Sequence, residues 1–299
     1  MIKVGILMGG TSTEREVSLN TGKAMQTAVD ALGYESVSIV LGDSIHEIIP
    51  MLKTVDVVLI ALHGGDGENG VIQGMLDLMN IPYTGSNPHA SSICMDKHVS
   101  KVLVEKFGVR TPKWMIINKA DIATRPNFSP PYIVKPVDQG STVGLTVVYQ
   151  KTNLDTALNS AFEYSDTIMI EEYIAGREIT VTILGNKAYP IVEIIPSHDL
   201  YDYECKYSLG MSQYVCPADI SNDISAKIKS ESEKIFSILK CRHYGRVDYR
   251  LDDDSNFWFL EINTLPGMTE TSLVPKSVKA AGMSFESLID DLINRAIRS

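Results

Sequence analysis

Two short stretches, Gly245-Arg246-Val247-Asp248 and Phe259-Leu260-Glu261-Ile262-Asn263, say most about the fold and the chemistry of this chain. Both alternate apolar with polar residues, a pattern that predicts strands. Side chains two positions apart lie on one face of a strand, so Glu261 and Asn263 share a face. Together with Asp248 from the other stretch they offer only oxygen ligands, which suit a hard cation such as Mg²⁺. A solvated hairpin with scattered carboxylates is the alternative interpretation.

The composition is that of an ordinary globular protein with room for two or three domains. The chain has 299 residues, of which 44% are hydrophobic and 21% are charged. Its formal net charge of −10 argues against nucleic acid or an anionic membrane as the main partner. Binding of an anionic substrate would therefore depend on particular lysines and arginines.

Cysteine usage and the apolar runs point to a cytoplasmic protein. The four cysteines, Cys94, Cys205, Cys216 and Cys241, show neither the paired spacing of a metal site nor the density of a disulfide scaffold. The first residues are typical of a buried strand rather than of a signal peptide. Because no apolar run reaches the length of a membrane span, we expect no membrane partner.

The first third of the sequence alternates strand and helix signals. Strands are predicted at residues 4–8 and 56–62, helices at residues 17–32 and 69–79, and a further short strand from Ile81. This alternation predicts a parallel sheet with helices on both faces and a ligand crevice at the carboxyl ends of its strands.

A Gly-, Ser-, Asn- and Pro-rich stretch at residues 84–88 indicates a boundary, and a third region with long alternating strands opens near Arg177. Residues 197–213 are polar and tyrosine-rich without clear periodicity, which predicts a long functional loop. We expect domains at residues 1–86, 87–174 and 175–299. Two further helices are predicted, at residues 97–107 and 154–164. Further strands are predicted to end at Lys135 and to cover residues 167–173, 179–184 and 189–196.

The common nucleotide motifs are absent, yet a phosphate cradle is present. Neither the P-loop spacing nor the dinucleotide fingerprint occurs. Lys135 ends an apolar strand, and the turn Gly140-Ser141-Thr142-Val143-Gly144 follows, so backbone N–H groups and an ammonium could hold phosphate together. The backbone after Glu171 could bind an adenine edge, and Glu178 a ribose hydroxyl. A surface hairpin and a hinge with exposed acids are the respective alternatives.

Taken together, these residues resemble the ATP-grasp ligases and, among them, the D-alanine–D-alanine ligases. The resemblance implies an α/β and α+β fold, with an N-terminal doubly wound parallel-sheet (pre-ATP-grasp) domain followed by a two-domain ATP-grasp fold. It also implies ATP-dependent joining of two D-alanine molecules through an acyl phosphate, for peptidoglycan precursors. The matching motifs run in order along nearly the whole chain: Gly9-Gly10-Thr11-Ser12-Thr13-Glu14-Arg15-Glu16-Val17-Ser18, Ala61-Leu62-His63-Gly64, Met95-Asp96-Lys97, residues 140–144, Tyr201-Asp202-Tyr203-Glu204-Cys205-Lys206-Tyr207 and Glu261-Ile262-Asn263-Thr264-Leu265-Pro266-Gly267-Met268-Thr269.

The resemblance assigns ATP and metal ligands. Two Mg²⁺ ions, with Mn²⁺ as an alternative, would neutralise charge during phosphoryl transfer. Asp248, Glu261 and Asn263 would hold these ions. The residues assigned to ATP are Lys97, Lys135, Glu171 and Glu178.

The resemblance also implies roles around the two amino acids. Arg246 and the Gly267 N–H would stabilise the tetrahedral oxyanion. Tyr207 would lock a lid through hydrogen bonds with Glu14 and Ser141, excluding water from the acyl phosphate. The remaining residues are Glu14 for the first ammonium, His63 on the substrate side, Lys206 for the transferred phosphoryl group, and Ser272 with the Leu273 N–H for the second carboxylate.

Two positions depart from the pattern of the family, and the substrate leaves alternatives. Glu172 replaces a lysine that some relatives carry at the adenine strand, and Thr142 replaces a serine. Tyr207 favours a dipeptide product over the D-lactate ester. A ligase for D-lactate or D-serine, and a nucleotide-binding regulator without turnover, are the alternative functions. The resemblance further implies a homodimer.

Overall fold

The computed structural model describes residues 2–196 and 212–299. It confirms the expected fold class, since a parallel sheet comes first and antiparallel sheets follow. Among the described residues, no helix is both long and apolar enough to cross a bilayer.

The N-terminal sheet is parallel and has the strand order β2-β1-β3. Tyr83 pairs with Val58 through a single bridge, so the strand predicted from Ile81 is reduced to one residue. The elements of this region are β1 (Lys3–Gly9), α1 (Arg15–Ala31), β2 (Glu35–Leu41), α2 (Ile49–Leu52), β3 (Val57–Ile60) and α3 (Val71–Leu78).

The second sheet is antiparallel, with the order β4-β7-β5-β6. A cluster of buried apolar residues joins it to α6, because Leu154 and Leu158 pack with Tyr132 and Ile170. The elements are α4 (Pro88–Met95), α5 (Lys97–Glu105), β4 (Trp114–Asn118), β5 (Tyr132–Pro136), β6 (Thr146–Val148), α6 (Leu154–Ala161) and β7 (Thr167–Glu172).

The third sheet is also antiparallel and runs β11-β10-β8-β12-β13, with β9 paired to β8. Its elements are β8 (Arg177–Leu184), β9 (Lys187–Ala188), β10 (Val192–Pro196), β11 (Ser212–Val215), α7 (Asn222–Ile238), β12 (Tyr244–Leu251) and β13 (Phe257–Asn263). The helices α8 (Leu273–Ala280) and α9 (Phe285–Arg298) complete the chain.

The last helix returns to the first sheet. The side chains of Leu288, Leu292 and Ile293 on α9 are fully buried in one apolar cluster with Ile6 and Leu59 of the parallel sheet. Contacts with α1 and β3 support the same placement. The domain boundaries at 86/87 and 174/175 stay predictions, and α9 makes its contacts across both of them.

Among the elements that differ from the sequence interpretation are α4 and β11. The composition around Pro88 indicates a boundary rather than the helix α4 that the structure shows. Proline is favoured in the first turn of a helix, and the Asn87 side chain accepts a hydrogen bond from the Ala90 N–H, so the same residues begin a helix. Ser212 and Gln213, predicted to lie in the long loop, pair in β11 instead. The rest of that loop, residues 197–211, lies outside the described residues.

Candidate active site

Two adjoining cavities lie where the three sheets meet. The larger, of about 480 Å³, is lined by the start of α1, by His63 and by the connection from β13 to α8. The smaller, of about 130 Å³, lies between the two antiparallel sheets. Residues common to both linings are Lys97, Gly140, Ser141, Arg246 and Glu261. The cavities are therefore joined at the residues predicted to handle phosphate and metal.

The predicted metal ligands occupy facing positions on β12 and β13. Asp248 pairs with Glu261, and Arg246 with Asn263. The register then shifts after Asp248, so that Tyr249 faces Phe259. A β-bulge of this kind re-aims side chains, and it lies at the site.

Each of these ligands already has a partner. Arg246 donates from Nε to Asp248 Oδ1 (2.9 Å) and from Nη2 to Oδ2 (2.8 Å). Lys97 Nζ lies 3.2 Å from Glu261 Oε2. Asn263 Oδ1 accepts the Leu265 N–H at 2.8 Å. The two carboxylates are thus paired with cations of the chain itself.

The donor set fits a magnesium site that a nucleotide completes. Mg²⁺ keeps several waters and uses one or two carboxylates plus substrate phosphates rather than an all-protein cage. Two carboxylates and one amide oxygen match this requirement. Consistently, no cluster of three or more His, Cys, Asp or Glu side chains with metal-binding geometry occurs within residues 2–196 and 212–299.

Lys97 lines the smaller cavity together with the turn of the predicted phosphate cradle, residues 140–144. The Lys97 Nζ donates to the Gln139 carbonyl at 2.6 Å, just before that turn. Ser141 and Thr142 in that turn adopt left-handed backbone conformations, with φ of 51° and 66°. Such strained conformations in non-glycine residues persist where the surroundings impose them and occur often at ligand sites.

Lys135 and Glu171 lie together at the smaller cavity. Lys135 Nζ is 2.6 Å from Glu171 Oε2. The other oxygen, Oε1, is 2.5 Å from Nζ of Lys101 on α5. Burial alone would raise the pKa of Glu171, but the two ammonium groups outweigh it and lower that pKa. Burial lowers the pKa of Lys101 to about 8 even though Glu171 opposes the shift.

Glu178 lines the same cavity on β8. The Arg250 guanidinium lies 3.5 Å from its Oε2. Residues 171–174 border the cavity as well, and the binding of an adenine edge by their backbone stays a prediction.

Glu14 and Ser141 meet in the larger cavity. Glu14 is the buried N-cap residue of α1, and the Ser141 hydroxyl donates to its Oε1. A Cβ on Gly64 would lie 2.9 Å from Glu14 Oε2, so the absence of a side chain there allows the close approach.

His63 lies beside Glu14 at the end of β3. Its Nε2 is 3.0 Å from Thr21 Oγ1, and its Nδ1 is 3.6 Å from Glu68 Oε1. The ring is buried and lines the larger cavity. This position is compatible with the substrate-side role, which stays a prediction.

Gly267, Ser272 and Leu273 form the opposite wall. The Ser272 hydroxyl accepts the Thr269 N–H at 3.0 Å, and Leu273 begins α8. The positive end of the helix dipole at this N-terminus therefore borders the cavity. Lys206 and Tyr207, predicted to act from a lid, lie outside the described residues.

The sequence interpretation does not include three residues that contact the predicted site residues. Thr180 donates from Oγ1 to Asp248 Oδ1 at 2.5 Å, and Glu68 approaches His63. Lys101 is the third, and helical spacing could have found it, since Lys97 and Lys101 are four positions apart and share one face of α5.

Comparisons with known proteins give matches along almost the whole chain. Residues 44–86 match the model for the D-ala D-ala ligase N-terminus, and residues 103–294 match the model for its C-terminus. The D-alanine–D-alanine ligase of Halalkalibacterium halodurans is 42% identical over 99% of this chain and 100% of its own length. The corresponding ligase of Aquifex aeolicus is 41% identical over 98% of this chain and 100% of its own.

Solved structures are similar over the whole chain. The D-alanine–D-alanine ligase of Bacillus anthracis complexed with ATP has a TM-score of 0.87 at 37% identity, covering 99% of this chain and 97% of that one. The VanG D-Ala:D-Ser ligase of Enterococcus faecalis has a TM-score of 0.85 at 28% identity, covering 99% of each chain.

Proposed function

Because the chain belongs to the D-alanine–D-alanine ligase family, we propose that it joins two D-alanine molecules at the expense of ATP, supplying the dipeptide for peptidoglycan precursors. One observation carries the proposal most directly. The cavity suited to a nucleotide and the cavity suited to small amino acids meet at Lys97, Arg246 and Glu261. A phosphoryl group could therefore pass from one to the other without leaving the protein.

In the first step, ATP occupies the smaller cavity, and Lys97 and Lys135 hold its phosphates. The Glu14 carboxylate binds the ammonium of the first D-alanine. The carboxylate of that D-alanine attacks the γ-phosphorus, the bond to the β-phosphate oxygen breaks, and ADP leaves. The product is an acyl phosphate, whose carbonyl is activated towards a nucleophile.

In the second step, the neutral amine of the second D-alanine attacks the acyl carbonyl. The developing oxyanion accepts hydrogen bonds from Arg246 and the Gly267 N–H. Collapse of the tetrahedral intermediate expels phosphate, and the amine loses a proton to give the dipeptide. Ser272 and the N-terminus of α8 hold the carboxylate of the second D-alanine. His63, held by its contacts with Thr21 and Glu68, acts on the substrate side.

We assign Asp248, Glu261 and Asn263 to two Mg²⁺ ions, for which Mn²⁺ can substitute. Bound with the triphosphate, the ions supply charge neutralisation to phosphoryl transfer. The chain's own contribution is to keep these oxygens facing each other across β12 and β13. Glu171 and Glu178 would contact the nucleoside, and Lys206 and Tyr207 would close the site against water.

Two wider assignments follow from the same proposal. The need for ATP, together with unpaired cysteines at Cys94, Cys216 and Cys241, favours the cytoplasm. We propose a homodimer, and the exposed apolar side chains Val71 and Leu78 on α3 offer a face for it. Sedimentation equilibrium that gives the mass of one chain would contradict this assignment.

A titration with D-alanine tests the proposed function. We expect ADP production to rise with D-alanine and to match the amount of D-alanyl-D-alanine formed. EDTA should abolish ADP production, and added Mg²⁺ should restore it. Phosphate release that ignores D-alanine would indicate a regulator or a ligase for another substrate.

Assays that offer D-serine or D-lactate together with D-alanine identify the second substrate. The structural similarity to a D-Ala:D-Ser ligase makes D-serine the stronger competitor. We expect the D-alanyl-D-alanine product to dominate when the acceptors are present at equal concentration.

A further inference from the structure

Lys101 is a fully buried lysine that none of the reaction steps above uses. Its side chain is 0% exposed in α5, behind the smaller cavity. Its ammonium donates to Thr111 Oγ1 (2.5 Å) and to the Phe259 carbonyl on β13 (3.2 Å). It also lies 5.6 Å from the centre of the Trp114 ring. Burying an ammonium group costs free energy unless the group is paired, so a fully buried lysine needs an explanation.

The third partner of Lys101 is Glu171, whose carboxylate joins two lysines. Oε1 is 2.5 Å from Lys101 Nζ, and Oε2 is 2.6 Å from Lys135 Nζ. Glu171 is 2% exposed. Two positive charges thus share one negative charge in a nearly dry environment.

This arrangement matters because Lys135 has a second task. A lysine that binds phosphate must leave, or loosen, its contact with Glu171. If Glu171 had no other cation, that departure would leave a buried carboxylate uncompensated, and Lys135 would be held back. With Lys101 in place, a neutral Lys101–Glu171 pair remains, and the charge of Lys135 is available to the triphosphate.

We propose that Lys101 is a positioning residue for nucleotide binding, which compensates Glu171 so that Lys135 can engage the phosphates. The inference rests on the proposed function for its ATP site. Six other charged groups around the cavity contact one another: Lys97 with Glu261, Arg246 with Asp248, and Arg250 with Glu178. Within the described chain, Lys101 and Lys135 are the cations in contact with Glu171.

A double-mutant cycle with Glu171 tests this role. Binding of the non-hydrolysable analogue AMP-PNP with Mg²⁺ is measured by calorimetry for the wild type, Lys101→Met, Glu171→Gln and the double variant. We expect Lys101→Met alone to raise the dissociation constant about 10- to 100-fold. In the Glu171→Gln background the same change should matter less than about threefold, because no carboxylate then competes for Lys135.

Two controls separate charge from packing. Thr111→Val disturbs the same buried cluster without changing its charge, and Lys106→Met removes an exposed lysine just after α5. Both should bind AMP-PNP within about twofold of the wild type. In active variants, the KM for D-alanine should stay within about twofold while the KM for ATP rises with Lys101→Met.

An equal loss of affinity in both backgrounds, or no loss in either, overturns the proposal. Should Lys101→Met alone fail to fold, Glu171→Gln and the double variant still decide, and a difference above about threefold between them refutes the role. A wild type that forms no ADP from D-alanine would sink the proposed function instead. The binding cycle involves no turnover and would still report on Lys101.

Discussion

At the scale of single residues, the candidate site is a set of ion pairs. Arg246 holds Asp248, Lys97 approaches Glu261, and Lys135 holds Glu171. Removing one member of a buried pair leaves an uncompensated charge, so each of these pairs is buried as a neutral unit. Substrate binding would then exchange partners rather than bury new charges.

Arg246→Ala should separate binding from chemistry. We expect AMP-PNP to bind within about tenfold of wild type, while dipeptide formation falls about 10²- to 10³-fold because a donor to the oxyanion is lost. Calorimetry and ADP release at saturating substrates measure the two effects.

Lys227→Ala is the matched control, since this exposed cation pairs with Asp223 on the surface of α7. Its turnover should equal that of the wild type. Turnover of Arg246→Ala within tenfold of wild type would remove the oxyanion role.

At the scale of elements, the sequence predicted strands well where apolar alternation was strong. β12 and β13 were expected from that pattern, and their facing register makes Asp248 and Glu261 opposite neighbours. The pattern could not predict the bulge after Asp248, because register depends on pairing between strands.

Other parts of the fold and of the site could not be predicted from the sequence. The helix α4 begins at a proline, a residue that also marks loops. Helical spacing puts Lys101 on the same face of α5 as Lys97, but it does not predict that Lys101 is buried, since lysines are rarely fully buried. Only the packing of α5 against β7 and β13 brings its ammonium to Glu171 and the Phe259 carbonyl.

The junction before β12 predicts an acid-sensitive stability. Burial lowers the pKa of His243 to about 4, with Arg242 and Arg295 adding to the shift. Its Nδ1 accepts the Gly85 N–H at 3.2 Å, and its Nε2 has no hydrogen-bond partner among the described residues. An unfolded histidine titrates near pH 6.5. Between these values the unfolded chain takes up a proton that the folded chain does not, so stability falls as pH falls.

His243→Asn should remove this contribution. Asparagine tolerates the left-handed backbone at this position, where φ is 63°, and retains an acceptor for Gly85. Between pH 7 and pH 4.5 the wild type should lose about 1–3 kcal/mol more free energy of unfolding than the variant, as measured in urea. His46→Asn, at an exposed position, should keep the wild-type pH dependence. Parallel pH profiles for the wild type and His243→Asn would refute the explanation.

At the scale of the whole molecule, α9 links the two ends of the described chain. Its buried face joins the apolar cluster of the parallel sheet, so the cavity wall at Glu14 and His63 rests on a sheet that a distant helix covers. The α/β class could be predicted from strand and helix alternation. The sequence could not predict that α9 packs against that sheet. An amphipathic pattern shows that a helix has a buried face, but it does not show which element covers that face.

Leu292→Ala tests this link. The side chain is 0% exposed, and its truncation should lower the free energy of unfolding by about 2–5 kcal/mol. Amide hydrogen exchange should quicken in β1 and β3 as well as in α9.

Ile297→Ala, on the same helix but 40% exposed, should change stability by less than about 1 kcal/mol. Faster exchange confined to α9 in the Leu292 variant would show that the helix is not needed for the order of the sheet.

The return of α9 has a consequence during synthesis. Ribosomes extend a chain at about 5–20 residues per second. Roughly ten seconds or longer therefore pass between synthesis of the parallel sheet and synthesis of α9, which covers its apolar face. In that interval the nascent chain presents Leu59 and its neighbours to the translation machinery and to chaperones. Synonymous codons that slow translation before α9 would lengthen this exposure and lower the yield of soluble enzyme.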